Sequence, residues 1–301
     1  MLLVALTALL LALTSLLAYL GRFSWVLDNI ASFRPQLTIA LTVLLVLLVL
    51  GRWPKTALFV GLVTLINIGT LFPLFMAKGA TGDEADLRIL SFNLLSDNKN
   101  FGDVIEYIRS SQADVVVLHE ASRPWEEAVA EADLDYEMTM TRPSEGIFGS
   151  LVMTPVEAMV TSFGFRLADP RAVEIRFPDG LAVLAVHPLS PSTARRARLR
   201  DQQLAYAAEW VKGQSGPVVV VGDFNASPFS YPYRRLRAET GLADSIRGYG
   251  LENSFPARAW PILRVSIDHL LYSEGVQVVH RTLGPPLGSD HFPLVVDLSL
   301  T

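Results

Sequence analysis

Val218-Val219-Val220-Val221-Gly222-Asp223-Phe224-Asn225 reads as a buried strand that stops on a carboxylate and a carboxamide. Four β-branched residues in a row suit an extended chain covered on both faces. The design recurs in Ile89-Leu90-Ser91-Phe92-Asn93, Val115-Val116-Val117-Leu118-His119-Glu120, Val183-Leu184-Ala185-Val186-His187 and Val265-Ser266-Ile267-Asp268-His269, each an apolar run that ends on polar groups. Ser289-Asp290-His291 leads into one more run, Phe292 to Leu298. Such short runs between turn signals predict sheet strands with polar residues at their ends. A single strand-end Asn reads as a turn former. The ordered series from Asn93 to His291 reads as one site.

Between the runs the pattern turns helical, over Asp103 to Ser111, Trp125 to Ala132 and Thr193 to Trp210. Further strands are expected over Val173 to Phe177, Leu181 to Val186, Ile267 to Tyr272 and Leu294 to Leu298. The middle strands are almost continuously apolar. The fold class predicted is therefore α/β in the broad sense, an α+β four-layer sandwich of two packed β-sheets flanked by helices.

The chain has 301 residues, half of them hydrophobic, with no cysteine and a formal net charge of −5. The missing cysteines exclude a disulfide framework, a thiolate metal site and a thiol nucleophile. Residues 1–77 hold most of the hydrophobic excess and are expected to be a membrane anchor, followed by a linker over 78–86 and a catalytic domain over 87–301. Met1 to Leu20 carries no charged side chain and is long enough to cross a hydrocarbon core of about 30 Å. It lacks the basic start and cleavage site of a signal peptide. Leu37 to Leu50, with Pro35 in its first turn and Arg34 and Arg52 expected to reach the two interfaces, is a second span, and Ala57 to Met76 a third. Two spans and a re-entrant piece are the alternative. Arg52 and Lys55 in the tight 51–55 link place that link and the N-terminus on the cytoplasmic side, with the domain across the membrane.

After Lys78 the chain carries 20 Lys and Arg against 29 Asp and Glu, a net of −9. Nonspecific nucleic-acid binding draws on the opposite sign.

Hydrolysis of a phosphoester needs a cation to offset phosphoryl charge, a base to activate water and a group to serve the leaving oxygen. Oxygen ligands from Glu and Asn suit Mg²⁺ or Mn²⁺, and a separate His or Asp can move protons. The chain supplies candidates for each role. Phe92-Asn93, Leu118-His119-Glu120, Val186-His187-Pro188, Gly222-Asp223-Phe224-Asn225, Ile267-Asp268-His269 and Gly288-Ser289-Asp290-His291 resemble the successive motifs of the endonuclease/exonuclease/phosphatase (DNase I-like) superfamily, over Leu87 to Leu298. That superfamily includes nucleases, sphingomyelinases and inositol polyphosphate phosphatases.

The resemblance implies that Glu120 is the principal Mg²⁺ ligand with Asn93 beside it and Asp290 as a further metal-side carboxylate. It implies that Asp223 orients or deprotonates the attacking water, that Asn225 holds a phosphoryl oxygen and that His187 donates to the phosphate. His291 contacts the scissile phosphate or assists proton transfer, with Asp268 orienting it. Ser266 and His269 depart from the family pattern, and the turn Glu145 to Ser150 receives no catalytic residue. His119 is expected to be a packing histidine. Arg195, Arg196, Arg198 and Arg200 form a cluster that reads either as a solvated helix face or, through Arg195 or Arg196 in the first helical turn, as a contact to a second phosphate or an anionic lipid headgroup.

Fold and site leave the substrate open. A nine-residue linker holds the domain within about 30 Å of the bilayer. The expected partner is therefore a lipid or lipid-linked phosphate at a bacterial inner membrane, with DNA or RNA as the alternative substrate and a catalytically silent phospho-ligand sensor as a third reading. The layout also resembles that of bacterial VanJ-like membrane proteins, a group associated with resistance to teicoplanin-type antibiotics.

Overall fold

The computed structural model describes residues 1–76, 84–141, 149–155, 157–164 and 171–301. The N-terminal part is a bundle of α1 (Leu2–Leu17), the short α2 (Trp25–Ala31), α3 (Arg34–Leu50) and α4 (Pro54–Leu71). Pro35 and Pro54 sit in the first turns of α3 and α4, where a missing N–H costs nothing. Ala5, Ala8 and Ala12 form a small-residue stripe on α1 that packs with Leu41 and Leu48 of α3 and Val60 and Val63 of α4. Leu3, Leu10, Leu50, Leu58 and Leu65 face outward. A bundle with an apolar outside is built for surroundings other than water.

Two helical stretches, Leu2–Phe23 and Pro54–Leu74, are long and apolar enough to cross a membrane. The pair α2 and α3, bent by 68° at its break, makes a third if it counts as one span. The linker expected over 78–86 lies outside the described residues up to residue 83, as does the turn expected at 145–148.

Arg34 departs from expectation. It does not reach out to an interface but is buried, donating to Asn67 Oδ1 (2.8 Å) with its guanidinium over the Tyr19 ring (3.8 Å). Asn67 donates in turn to Ser15 Oγ (2.7 Å). The reason is that the rest of the chain covers this end of the bundle: Phe229 and Ile246 pack with Ala18, Ala31, Leu71 and Leu74. A buried guanidinium must then find its partners inside.

The remainder contains β1 (Leu87–Asn93), α5 (Phe101–Ser111), β2 (Val115–His119), α6 (Arg123–Glu131), β3 (Glu137–Thr141), β4 (Ser150–Thr154), β5 (Met159–Gly164), β6 (Arg171–Arg176), β7 (Ala182–Ala185), α7 (Ala194–Lys212), β8 (Val218–Asp223), α8 (Tyr231–Thr240), β9 (Ala243–Asp244), β10 (Asp268–Tyr272), β11 (Val276–Leu283) and β12 (Leu294–Leu300). They form two mixed six-stranded sheets, β11-β12-β1-β2-β4-β3 and β5-β6-β7-β8-β10-β9. Among the described residues parallel pairing is confined to β1 with β2 and β7 with β8, at the middle of each sheet. The inner faces meet through Ile89, Val117, Val183, Val219, Val221 and Leu270. Helices α5 and α6 cover one outer face with Val104, Ile108, Trp125 and Val129, and α7 and α8 cover the other with Leu204, Ala207, Tyr233 and Leu236. The architecture is the predicted sandwich of two sheets flanked by helices.

The helical bundle and the sandwich are in direct contact. Arg200 of α7 and Asp28 of α2, both 2 % exposed, form an ion pair (Nη2 to Oδ2, 2.7 Å). Asp28 Oδ1 accepts from the Tyr231 backbone N–H (2.6 Å), Asn29 Nδ2 donates to the Pro191 carbonyl (3.1 Å) and Gln36 Nε2 to the Arg264 carbonyl (2.8 Å). Arg200 thus separates from the exposed Arg195 and Arg198 of its sequence cluster, and the domain is seated on its helices as well as tied to them.

Removing one partner of a buried pair strands the other charge, at a cost of about 3–5 kcal/mol. Asp28→Ala should therefore lower the apparent melting temperature in detergent, and Asp28→Leu combined with Arg200→Met should recover most of the loss, which differential scanning fluorimetry on the three proteins checks.

His269 alternates to the outer face of β10, where its Nε2–H donates to the Ala226 carbonyl (2.9 Å) and its ring lies 4.5 Å from that of Tyr233. Burial pushes it down to about 4, only partly opposed by Asp244. The folded chain holds it neutral while the unfolded chain protonates it below about 6.5. Stability is accordingly full above that value and falls as pH drops from 6.5 toward 4, by roughly 3 kcal/mol for this residue alone. His269→Gln keeps a donor and removes the titration, so its melting temperature should fall less than that of wild type between pH 7 and pH 5, measured in one detergent.

Candidate active site

Strand period two puts every second residue on the inner face of each sheet. Following the inner-face columns to their ends gives Asn93 after Ile89 on β1, His119 after Val117 on β2, His187 beyond Ala185 of β7 and Asp223 after Val221 on β8. On β10, which runs antiparallel to β8, the inner column begins with Asp268, directly opposite Asp223. Both sheets therefore deliver their polar ends to one edge of the sandwich. Glu120 follows β2 with a left-handed backbone (φ 56°) that ends the strand. Asn225 also takes the left-handed conformation (φ 49°), one that Asn tolerates well. Gly222 has φ 140°, and a Cβ there would lie 2.0 Å from the Val186 carbonyl oxygen. No other residue fits between β8 and the strand end that carries His187.

Asp223 is the hub. Its Oδ2 accepts from Asn93 Nδ2 (3.1 Å) and Asn225 Nδ2 (3.3 Å) and lies 3.6 Å from His187 Nε2 and 3.7 Å from His291 Nε2. Its Oδ1 accepts from the Asn225 backbone N–H (2.8 Å). Glu120 Oε1 accepts from Asn93 Nδ2 (3.2 Å) and lies 3.8 Å from His187 Nε2. His291 Nδ1 donates to Asp268 Oδ2 (2.8 Å). Ser289 ties the parts together, its Oγ donating to the Asn93 carbonyl (2.7 Å) and accepting from the His291 N–H (3.0 Å).

Electrostatics divides these groups. Burial pushes Asp223 up to about 7 despite the neighbouring His291. Burial also works against a charged His291, yet Asp268 and Asp223 outweigh it and hold this imidazole up at about 10. Asp268 goes the other way: burial raises it, but the charge and hydrogen bond of His291 and the Ser254 hydroxyl bring it below its ordinary value. His187, buried and near His291, falls to about 4 and is neutral at pH 7. The constellation thus offers an imidazolium held by a carboxylate, a neutral imidazole donor and a central carboxylate able to exchange a proton near neutrality.

Eight predicted residues converge: Asn93, Glu120, His187, Asp223, Asn225, Asp290 and His291 line one cavity of about 560 Å³, and Asp268 stands behind His291. Of the candidate arginines, Arg196 lines this cavity and donates from Nε to the Ser190 carbonyl (3.0 Å), whereas Arg195 is exposed and does not line it. Thr193 caps α7 by accepting from the Arg196 backbone N–H (3.2 Å), which fixes that first turn at the cavity edge. His119 is buried and bonded to Ser150 Oγ (3.1 Å), with its ring 5.2 Å from that of His187, a packing position behind the site.

The donor set suits a hard divalent cation. Asp223, Asp268 and His291 place ligand atoms within 4.8 Å of one another. Their geometry is nonetheless that of a hydrogen-bonded dyad facing a carboxylate, with Nδ1 and Oδ2 already engaged. Glu120 is part-exposed in the cavity, its two oxygens accepting from Asn93 Nδ2 (3.2 Å) and the Ser96 N–H (3.3 Å), and with Asn93 and Asp290 it is the better oxygen set for a hard cation. Asn93 turns its Nδ2 toward the carboxylates, so ligation through oxygen requires rotation of its amide.

The sequence reading missed Asn29, Ser32 and Phe33, which come from the α2–α3 corner and line the same cavity. Only Asp28, a lone charge in an apolar stretch, pointed to that corner.

A search of curated protein sequences finds no match. Among solved structures, the chain is similar to D. rerio TDP2 complexed with a single-strand DNA product (TM-score 0.59, 16% identity, covering 71% of this chain and 98% of that one). It is also similar to the human Nocturnin catalytic domain with bound sulfate (0.57, 18%, 72% and 94%) and to the mannosyl-6-phosphatase Bt3783 of Bacteroides thetaiotaomicron (0.51, 16%, 71% and 100%). At these identities the likeness is one of fold. The model of the Endonuclease/Exonuclease/phosphatase family matches residues 90–291, a stretch that runs from β1 to His291 and takes in every strand end of the site. The chain belongs to the endonuclease/exonuclease/phosphatase family.

Proposed function

We propose that this protein is a membrane-anchored, Mg²⁺-dependent phosphoester hydrolase acting on a phospholipid or polyprenyl-phosphate headgroup, with its catalytic domain outside the cytoplasm. The observation that carries the reading is the cavity in which Asp223, His187 and His291 meet residues of the N-terminal helices. The VanJ-like layout of the chain accords with it. Glu120 turned into the cavity favours an enzyme over a silent sensor.

In this reading Glu120, Asn93 and Asp290 hold the cation, which when bound offsets charge on a phosphoryl oxygen. Asp223 orients the attacking water and takes its proton, a role suited to a carboxylate that titrates near 7. Asn225 Nδ2 donates to the Pro188 carbonyl (3.0 Å) and to Asp223 (3.3 Å), and exchanging the longer bond gives a phosphoryl oxygen its donor. His187, neutral, donates to another. His291, kept protonated by Asp268, supplies charge or a proton at the leaving oxygen.

Detergent-solubilised protein with Mg²⁺ should release phosphate or headgroup from a panel of phospholipids and polyprenyl pyrophosphates, and EDTA should abolish the release. Asp223→Ala should lose about 10²–10⁴-fold in kcat, the range of general-base catalysis. Cleavage of plasmid DNA in place of lipid would transfer the same chemistry to a nucleic-acid substrate.

Asp268→Asn should remove the carboxylate that keeps His291 charged. With the imidazolium required, activity is present below the His291 value and lost above it, so the alkaline limb of the kcat profile should move to lower pH in the variant, as a pH–rate series would show.

A further inference from the structure

The cavity is amphiphilic in its construction. Beside the carboxylates and imidazoles of the site its lining includes Phe33, Pro191, Phe255, Val265 and Ile267, with the Phe255 ring 4.8 Å from that of His291. Phe33 comes from the α2–α3 corner, where the helix pair bends by 68°. Two residues before Val265 the chain makes a short 3-10 turn, Pro261–Leu263, and Gln36 in the first turn of α3 donates to the Arg264 carbonyl (2.8 Å). That turn is therefore fixed beside the corner. It presents large apolar side chains to the outside: Trp260 is 78% exposed, Ile262 51% and Leu263 54%, with Phe33 at 45%. Exposed apolar side chains also mark the outer faces of α1, α3 and α4. Exposed apolar surface of this kind marks a contact with a ligand, a partner or a membrane.

Among the described residues Arg196 is the only Arg or Lys that lines the cavity, and the chain after Lys78 is net negative. With Arg196 alone in the cavity, a nucleic acid would find little of the basic lining from which its affinity is drawn. A phosphoester whose remaining part is hydrocarbon would find a matching wall.

We propose that the α2–α3 corner and the Trp260–Leu263 turn form a subsite for the hydrocarbon chain of a lipid phosphoester, drawn from the bilayer with its phosphate at Asp223 and His291. The membrane segment is then part of the substrate site, and Phe33 and Leu263 are specificity-determining residues. This inference rests on the lipid-phosphoester reading above and adds to it the place where the chain is held.

Two arms test it on the full-length protein in detergent. The first measures kcat/KM over a series of phosphoesters sharing one headgroup, with acyl chains from six to sixteen carbons. Wild type should gain with every added methylene, with about fourfold as the limit for complete burial. Phe33→Ala and Leu263→Ser should each flatten that gain, mainly through KM; an unchanged chain-length slope in both variants overturns the subsite. The second arm uses a phosphonate lipid, which resists hydrolysis, with a diazirine in its chain. Crosslinks should fall within residues 25–36 and 255–267 and should be competed by unlabelled long-chain phosphonate but not by glycerol phosphate. Crosslinks confined to the outer faces of α1, α3 and α4, or unaffected by the competitor, overturn it. A wild-type protein that hydrolyses no phosphoester would sink the proposed function, while the crosslinks would still decide the subsite.

Discussion

Asp28 and Arg200 are 172 residues apart in sequence and share one buried contact, on which the relation between the helices and the sandwich depends. Neither charge reaches water, and the pair satisfies Asp28 while Arg200 also reaches the half-exposed Asp201 (2.8 Å). Arg200 is used further: its Nε donates to Asp201 and its Nη1 to the backbone carbonyl of Asn225 (3.0 Å). The side chain that meets Asp28 is thus bonded to the left-handed turn that presents the carboxamide of the site. Together with the apolar contact of Phe229 and Ile246 against Ala18 and Leu71, this sets the angle at which the strand ends face the bundle.

Within the sandwich the governing constraint is the strand period. A polar group at the end of an inner-face column has apolar neighbours behind it and the opposite sheet before it, so it must pair with the polar ends of other strands. That makes the site a necessary meeting point of columns from both sheets, and it explains why Asp223 bonds to groups from β1 and the β8 turn while facing two histidines. The same crowding separates the two imidazoles electrically. His291 has Asp268 at hydrogen-bond distance and stays charged, while burial and the nearby charge of His291 keep His187 neutral.

Much of this was legible in the sequence because it rests on short-range pattern. Val218 to Asn225 shows its strand, its stop and its carboxylate in eight consecutive residues, and α7 announces its start in Thr193. The β11 strand was not foreseen, since Val276 to Leu283 interrupts its apolar residues with Gln277, His280 and Arg281 on a half-exposed edge. Arg34 and Arg200 were misplaced for a different reason. A lone arginine in an apolar helix or in an arginine run looks solvated until the partner across the interface is known, and Asn67 and Asp28 become partners only through packing. Cavity-lining Phe33 belongs to the same class: its sequence environment is that of a membrane segment, and its neighbours at the site come from far along the chain.

The α2–α3 corner bears on modularity. Anchored enzymes are commonly pictured as a portable domain on an exchangeable leash. Here the first fifth of the chain supplies a countercharge for α7, an amide for the Pro191 carbonyl and an aromatic wall for the cavity. A foreign helix of equal hydrophobicity would supply none of these, so the N-terminal helices and the sandwich act as one structural unit, and a chimera that folds alike has to keep residues 28–36 with α7 and the Arg264 turn.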